Sequence, residues 1–405
     1  MTWLDWRDGQ WMLGDGSVRR LAELAGQTPF YVVDRRRVTE RVQAVRQVLP
    51  PGVRLYYAVK ANPMPALLGH LAGLVDGMDV ASGGELNAAL NAGCAPADVC
   101  FAGPGKTELE LRQAVAAGAL LHVESLREVR LLGELARSWG LSPALGPRVA
   151  LRVNPDFELR SAGMRMGGGA QVFGVDAEQV PTVLAEVARE GLRFEGFHVY
   201  AGSQILKAEV LVSALERTLD MLRGWAQQCP APVLSVNVGG GWGIPYHAGE
   251  TPLDIQAVGQ AMGRLWPALQ QVWPQAHMTV ELGRYLVGEA GAYVCRVLER
   301  KESRGQVFVV TDGGMHHHLA AAGHFGQLIR RPYPVALAGA APGGPTERVN
   351  VVGPLCTPMD TLAQQVELPR AEPGDLVVVF QSGAYGASAS PQRFLSHPAP
   401  AEILL

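Results

Sequence analysis

From residue 54 to residue 282 the chain alternates between short apolar runs and amphipathic segments, and this rhythm limits its fold more than any other feature. Runs rich in β-branched and aromatic residues stand at 54–59, 77–81, 98–102, 120–123, 148–153, 194–200, 234–238 and 278–282, with a lead-in at 30–33. Helical periodicity fills 35–48, 84–92, 107–117, 125–138, 176–190, 206–228 and 254–272. A strand that returns through a helix pairs with its successor in parallel. Eight such units predict the α/β class and a closed (β/α)8 TIM barrel, with an open doubly wound sheet as the competitor. The composition suits a well-buried protein, 48% apolar and 18% charged, and 405 residues are more than one core usually holds.

After residue 286 the rhythm changes. Strand-like segments at 290–298, 306–311, 348–352, 364–368, 375–380 and 401–404 are separated by Gly- and Pro-rich turns rather than helices. They predict an all-β domain, an antiparallel β-barrel or sandwich. The expected division is a barrel over 28–285 and a β-domain made of 1–27 plus 286–405. Trp3, Trp6 and Trp11 fall in the first segment, which is expected to add strands or a helix. The stretch 338–347 reads as a mobile surface loop.

Charge and cysteine content narrow the function classes. A net charge of −3 offers no electrostatic footprint for nucleic acid or an anionic membrane. Cys94, Cys100, Cys229, Cys295 and Cys356 are odd in number and form no C-x-x-C pair, which suits a reducing compartment. The N-terminus has neither a basic nor an apolar signal region, and no apolar run reaches membrane-spanning length. The expected location is the cytoplasm.

In a (β/α)8 barrel, chemistry collects at the C-terminal ends of the strands. There this sequence places Lys60, then Asp79, then Arg152 with Asn154, then His198 followed by Ser203. The last two strands end in Gly239, Gly240 and Gly241, and in Glu281, Gly283 and Arg284. An ammonium at a buried strand end either snorkels to water or is kept reactive, as in a Schiff base. Consecutive glycines either make a plain tight turn or expose backbone N–H groups to a phosphate. His198 alone reads as a core histidine, and Glu281 alone as a partner for Arg284. Together, a reactive lysine, a phosphate cradle and a carboxylate are what pyridoxal 5′-phosphate (PLP) requires.

These residues sit in motifs that resemble the fold-type III PLP-dependent decarboxylases, the group of diaminopimelate and ornithine decarboxylases. The motifs are YAVKAN at Tyr57–Asn62, DVASGGE at Asp79–Glu85, FHV at Phe197–Val199, GGG at Gly239–Gly241, ELGR at Glu281–Arg284, CTPMD at Cys356–Asp360 and GAY at Gly383–Tyr385. The resemblance runs from about Thr28 to the C-terminus. It implies an alanine-racemase-like barrel plus β-domain, in a head-to-tail homodimer with shared active sites. It makes Lys60 the Schiff-base lysine, His198 the residue stacked on the cofactor ring and Glu281 the partner of the ring nitrogen. Asp79, Arg152, Ser203, the three glycines, Gly283 and Arg284 fall to cofactor binding, with Tyr385 supplied by the partner chain. Cys356, also from the partner, becomes the acid that protonates the α-carbon. A thiol can be neutral near pH 7 and still give up a proton, although most free cysteines are small buried hydrophobes.

The implied reaction is α-decarboxylation of an amino acid or conjugate to an amine and CO2. The alternatives are an amino-acid racemase, disfavoured by a glutamate at 281, and a diaminopimelate decarboxylase. The last is disfavoured by Thr357, where those enzymes carry an acid. Arg284, Thr357, Asp360, His316 and His318 are the expected substrate residues. The GGMHHH stretch at Gly313–His318 resembles a branch acting on carrier-protein glutamyl groups, exosortase-associated substrates and siderophore intermediates. A metal at the histidines is not expected, because in an extended strand only His316 and His318 share a face and no carboxylate or cysteine has ligand spacing.

Overall fold

The computed structural model describes residues 5–158, 164–165, 167–247, 249–325 and 331–405. They form two compact units: Val42–Ile244 with Pro252–Gly283, and Met1–Arg41 with Pro245–Thr251 and Arg284–Leu405.

The first unit is the barrel. Its strands are β1 (Val53–Ala58), β2 (Gly77–Val80), β3 (Val99–Phe101), β4 (Leu120–Val123), β5 (Arg148–Asn154), β6 (Arg193–Val199), β7 (Ser235–Gly240) and β8 (His277–Leu282). Each pairs in parallel with its successor, β8 pairs with β1, and β4 pairs with β5, so the sheet closes. The strands are buried on both faces, β1 from Leu55 to Ala58 and β2, β3 and β4 throughout, which explains their unbroken apolar runs. The helices between them start where the sequence supplies caps. Ser82 and Ser125 accept from the backbone N–H of Glu85 and Glu128, and Thr107 with Glu110 makes a capping box. Helix Pro65–Ala72, between β1 and β2, was not among the periodic segments; Pro65 in its first turn starts it.

The second unit has a curled sheet around the long strand Gly291–Ser303. That strand pairs antiparallel with Gln306–Thr311, with Leu376–Val379 and with Phe30–Val33. Two other pairs are parallel: Ala401–Leu404 with Phe30–Val33, and Gln306–Thr311 with Glu347–Val352. The sheet is therefore mixed, not antiparallel as expected. The long connection from Thr311 to Glu347 lets the chain return in the same direction, which a tight hairpin forbids.

Strand Phe30–Val33 corrects the expected boundary at residue 28. Its partners are all in the β-unit, so residues up to Arg41 go with that unit. The segment before it adds a three-stranded meander and helix Val18–Ala25 to the β-unit, in line with the expected grouping of the N-terminus with the C-terminal domain. Leu13, Val18 and Leu21 are buried with Phe30, Val32, Val378 and Phe380. Trp6 and Trp11 meet edge to face, and Trp3 lies outside the described residues. Residues 341–346 are exposed, as a surface loop requires.

Candidate active site

The barrel brings most of the expected residues together. β1 runs into a single 3-10 turn, Val59–Ala61, that carries Lys60 off the strand end. Its Nζ lies 3.5 Å from Oδ2 of Asp79 on β2 and 5.4 Å from the centre of the Tyr200 ring. The lysine side chain is 40% exposed while Asp79 is buried, so the amine is reachable and its counter-charge is not. Burial and the nearby Glu281 carboxylate push Asp79 above the usual carboxylate range, against the pull of Lys60.

Glu281, on β8, is the centre of the buried polarity. Its Oε1 accepts from Asn237 Nδ2 at 2.5 Å and faces Cys100 Sγ at 3.8 Å. Its Oε2 lies 3.3 Å from His198 Nε2, but the alignment does not make a hydrogen bond. Burial alone would raise this carboxyl; the imidazole of His198 beside it, with His122 and Lys60, outweighs burial and holds it low. His122 on β4 stacks against His198 with ring centres 4.3 Å apart. Burial drives the His122 imidazole well below its ordinary range.

Several of these buried atoms lack a partner within the protein: Asp79 Oδ1, Glu281 Oε2 and both ring nitrogens of His122 and of His198. Unsatisfied buried polar atoms are costly, and so many in one barrel interior call for a polar ligand. Asp79, Cys100, His122 and Glu281 also offer donor atoms all within 4.8 Å of one another. By composition that set could hold a divalent ion.

The glycine turn closes the rim. Gly239 and Gly241 have φ of 66° and 80°, and a Cβ on Gly240 would collide with the Glu281 carbonyl. Asn237 Oδ1 accepts from the Gly239 N–H at 2.9 Å, so one side chain ties the turn to Glu281. Ser203 is buried on the short strand Gly202–Ser203. Gly283 leaves room for the turn of Lys60, since a Cβ there would stand 2.7 Å from Ala61 Cβ. Arg152 is buried and bonded at 2.9 Å to Glu124, which also accepts from the N–H groups of Gly103 and Gly174. Asn237, His122, Cys100 and Glu124 were missed in the sequence. For Asn237, His122 and Cys100 the only signal is strand alternation, and Glu124 lies just past the end of β4.

The remaining expected residues belong to the β-unit. Arg284 is buried, donates to the Tyr246 hydroxyl at 2.6 Å, and lies 4.6 Å from the ring centre of Tyr385 of its own chain. Tyr385, expected to be a partner-chain residue, is thus already engaged within its own β-unit; Tyr333, stacked on Tyr246, completes the cluster. Cys356 is exposed and Thr357 half-buried on the loop 353–360.

Three substrate expectations change. Asp360 is buried, and its carboxylate accepts from the N–H groups of Met315 at 2.6 Å and Leu355 at 2.8 Å, so it serves the backbone. His316 and His318 are wholly buried, in a turn rather than a strand, where the N–H groups of His317 and His318 bond to Gly314 O. His318 is held by Ser382 Oγ and the Ala321 N–H, and His316 stacks on His317 and His397 with both of its ring nitrogens unpartnered.

Residues 35–288 match the family model described as pyridoxal-dependent decarboxylase, pyridoxal binding domain. The chain belongs to the pyridoxal-dependent decarboxylases. Its cofactor is PLP, and the orphaned barrel atoms, the lysine and the Cβ-free turn fit that group. An L-glutamyl-[BtrI acyl-carrier protein] decarboxylase of Niallia circulans is 38% identical over 388 residues, covering 93% of this chain and 89% of the relative. A Staphylococcus aureus 2-[(L-alanin-3-ylcarbamoyl)methyl]-2-hydroxybutanedioate decarboxylase is 29% identical and covers 93% of each chain. The crystal structure of diaminopimelate decarboxylase from M. jannaschii with L-lysine gives a TM-score of 0.88 at 25% identity. It covers 100% of this chain and 93% of that one. This decarboxylase therefore has the barrel-plus-sheet fold of its family. Among its described residues no helix is long and apolar enough to cross a membrane.

Proposed function

We propose that this enzyme decarboxylates an amino acid carried in an amide conjugate or on a carrier protein, with Lys60 as the covalent anchor of PLP. The observation that carries the reading is the group of orphaned atoms around Glu281, on the barrel that also carries Lys60. Bound there, the cofactor supplies an electron sink for the charge left on the α-carbon. Glu281, held ionised, keeps a proton on the ring nitrogen, and Asn237 fixes its orientation. His198, backed by His122, would pack on the ring face. Asp79 attends the Lys60 amine, and Glu124 holds Arg152 rigid beside them. The N–H groups of Gly239–Gly241 with Ser203 and Gly283 are assigned to the phosphate, and Arg284 and Tyr385 to the phosphate or substrate carboxylate.

Cys356 is assigned the delivery of a proton to the α-carbon in the partner subunit of a homodimer. The exposure of its thiol supports that role. The five free cysteines suit a cytoplasmic location. The substrate class rests on the relatives that act on a glutamyl group or a citryl-type conjugate, together with Thr357 in place of an acid.

The test is CO2 release by the PLP-loaded enzyme from carrier-bound glutamate, citryl–amino acid conjugates, lysine and diaminopimelate. The conjugates are expected to be turned over at least about tenfold faster per unit concentration. Faster release from diaminopimelate would overturn the substrate assignment and leave the reaction standing.

A further inference from the structure

Asp360 is the one acid on the loop that carries Cys356, and both of its oxygens are spent. Oδ1 takes the N–H of Met315 and Oδ2 takes the N–H of Leu355, the residue before Cys356. The backbone repeats the tie: the Gly353 N–H donates to Asp360 O at 3.0 Å, and the Asp360 N–H to Thr357 O at 3.3 Å. The carboxylate sits so tightly between Gly314 and Gly353 that a Cβ on either would collide with it. One buried side chain thus bolts the Cys356 loop to the turn that precedes the three histidines.

We propose that Asp360 is a positioning residue: it fixes the place of the Cys356 thiol and leaves the loop with no free anion toward substrate. Carboxylate-to-backbone bonds are charge-assisted and short, and they set a loop more firmly than neutral ones. The side chains that remain on the loop are Pro354, Leu355, Cys356, Thr357, Pro358 and Met359, none of them an acid. A substrate whose far end is an ammonium ion finds no counter-charge here, whereas an amide or ester-linked far end loses nothing. The inference rests on the decarboxylase reading and on Cys356 as its proton donor.

The experiment compares wild type and Asp360→Asn, both loaded with PLP, on ornithine and on γ-glutamyl amides, and also times alkylation of Cys356 by iodoacetamide. Asparagine keeps the shape but turns an N–H₂ toward one of the two amide donors. The expected result is a kcat about tenfold lower for every substrate, with KM within about twofold. The Cys356 alkylation rate should change by at least about threefold, since that exposed thiol rides on the loosened loop. A KM raised only for ornithine would make Asp360 a counter-ion and overturn the proposal, as would unchanged kinetics and alkylation. If the variant does not fold, amide hydrogen exchange on the wild-type enzyme decides: the Met315 and Leu355 amides should exchange as slowly as core strands, and exchange at unprotected rates would refute the clamp. Failure of the decarboxylase reading itself would show separately, as no CO2 from any substrate.

Discussion

Around Glu281 the residues act as a set rather than singly. Its carboxylate is oriented by Asn237, faced by His198 and approached by the thiol of Cys100, all from inward-facing strand positions. The sequence exposed Lys60, His198 and Glu281 because each stands at the end of an apolar run, where a titratable group is conspicuous. It hid Asn237 and His122, which sit inside their strands and show their meaning only when the barrel closes. Asp360 and the histidines at 316 and 318 drew attention for the opposite reason, since near Cys356 a polar residue reads as functional, yet Asp360 bonds to backbone N–H groups and both histidines are buried. Lys60 carries the sharpest residue-level prediction. Borohydride reduction of the loaded enzyme should add the pyridoxyl phosphate mass to the peptide holding Lys60, and Lys60→Ala should lose it. The rival amine is Lys106, which is buried and bonded to Glu128 and two carbonyls. A label there would refute the assignment.

At the scale of elements, the barrel strands were legible because burial on both faces leaves an apolar signature that needs no knowledge of partners. Strand Phe30–Val33 has the same signature, yet its partners begin at residue 291 and at residue 401. Nothing local could assign it to the β-unit. The parallel pairing of Gln306–Thr311 with Glu347–Val352 escaped for the same reason. The turn after β7 is the element on which cofactor retention depends. Gly240→Ala would push a methyl group into the Glu281 carbonyl across the β7–β8 pair. Overpacking of that kind costs about 1–3 kcal/mol. The expected outcome is a lower melting temperature and weaker PLP binding by equilibrium dialysis. Unaltered affinity would mean that the turn has slack.

For the molecule as a whole, acid is a defined liability. Burial, with His317 and His397 close by, pushes His316 down to about 3, and burial does the same to His318. The unfolded chain takes protons at these groups near pH 6.5 while the folded chain refuses them, so stability is complete above that pH and falls below it. Each such group contributes a slope of about 1.4 kcal/mol per pH unit between its two pKa values. His316→Phe keeps a stacked ring and removes one titration. Denaturant melts at pH 6.5 and 5 should show a pH dependence flatter by about that slope, and an unchanged dependence would place the acid sensitivity elsewhere. The most direct test of the account is a turnover in D2O with the best conjugate substrate, following CO2 and the label at the α-carbon together. The account predicts one CO2 for each amine formed, with a single deuterium at the former α-carbon. Deuterium entering recovered substrate with no CO2 would contradict it and make the enzyme a racemase.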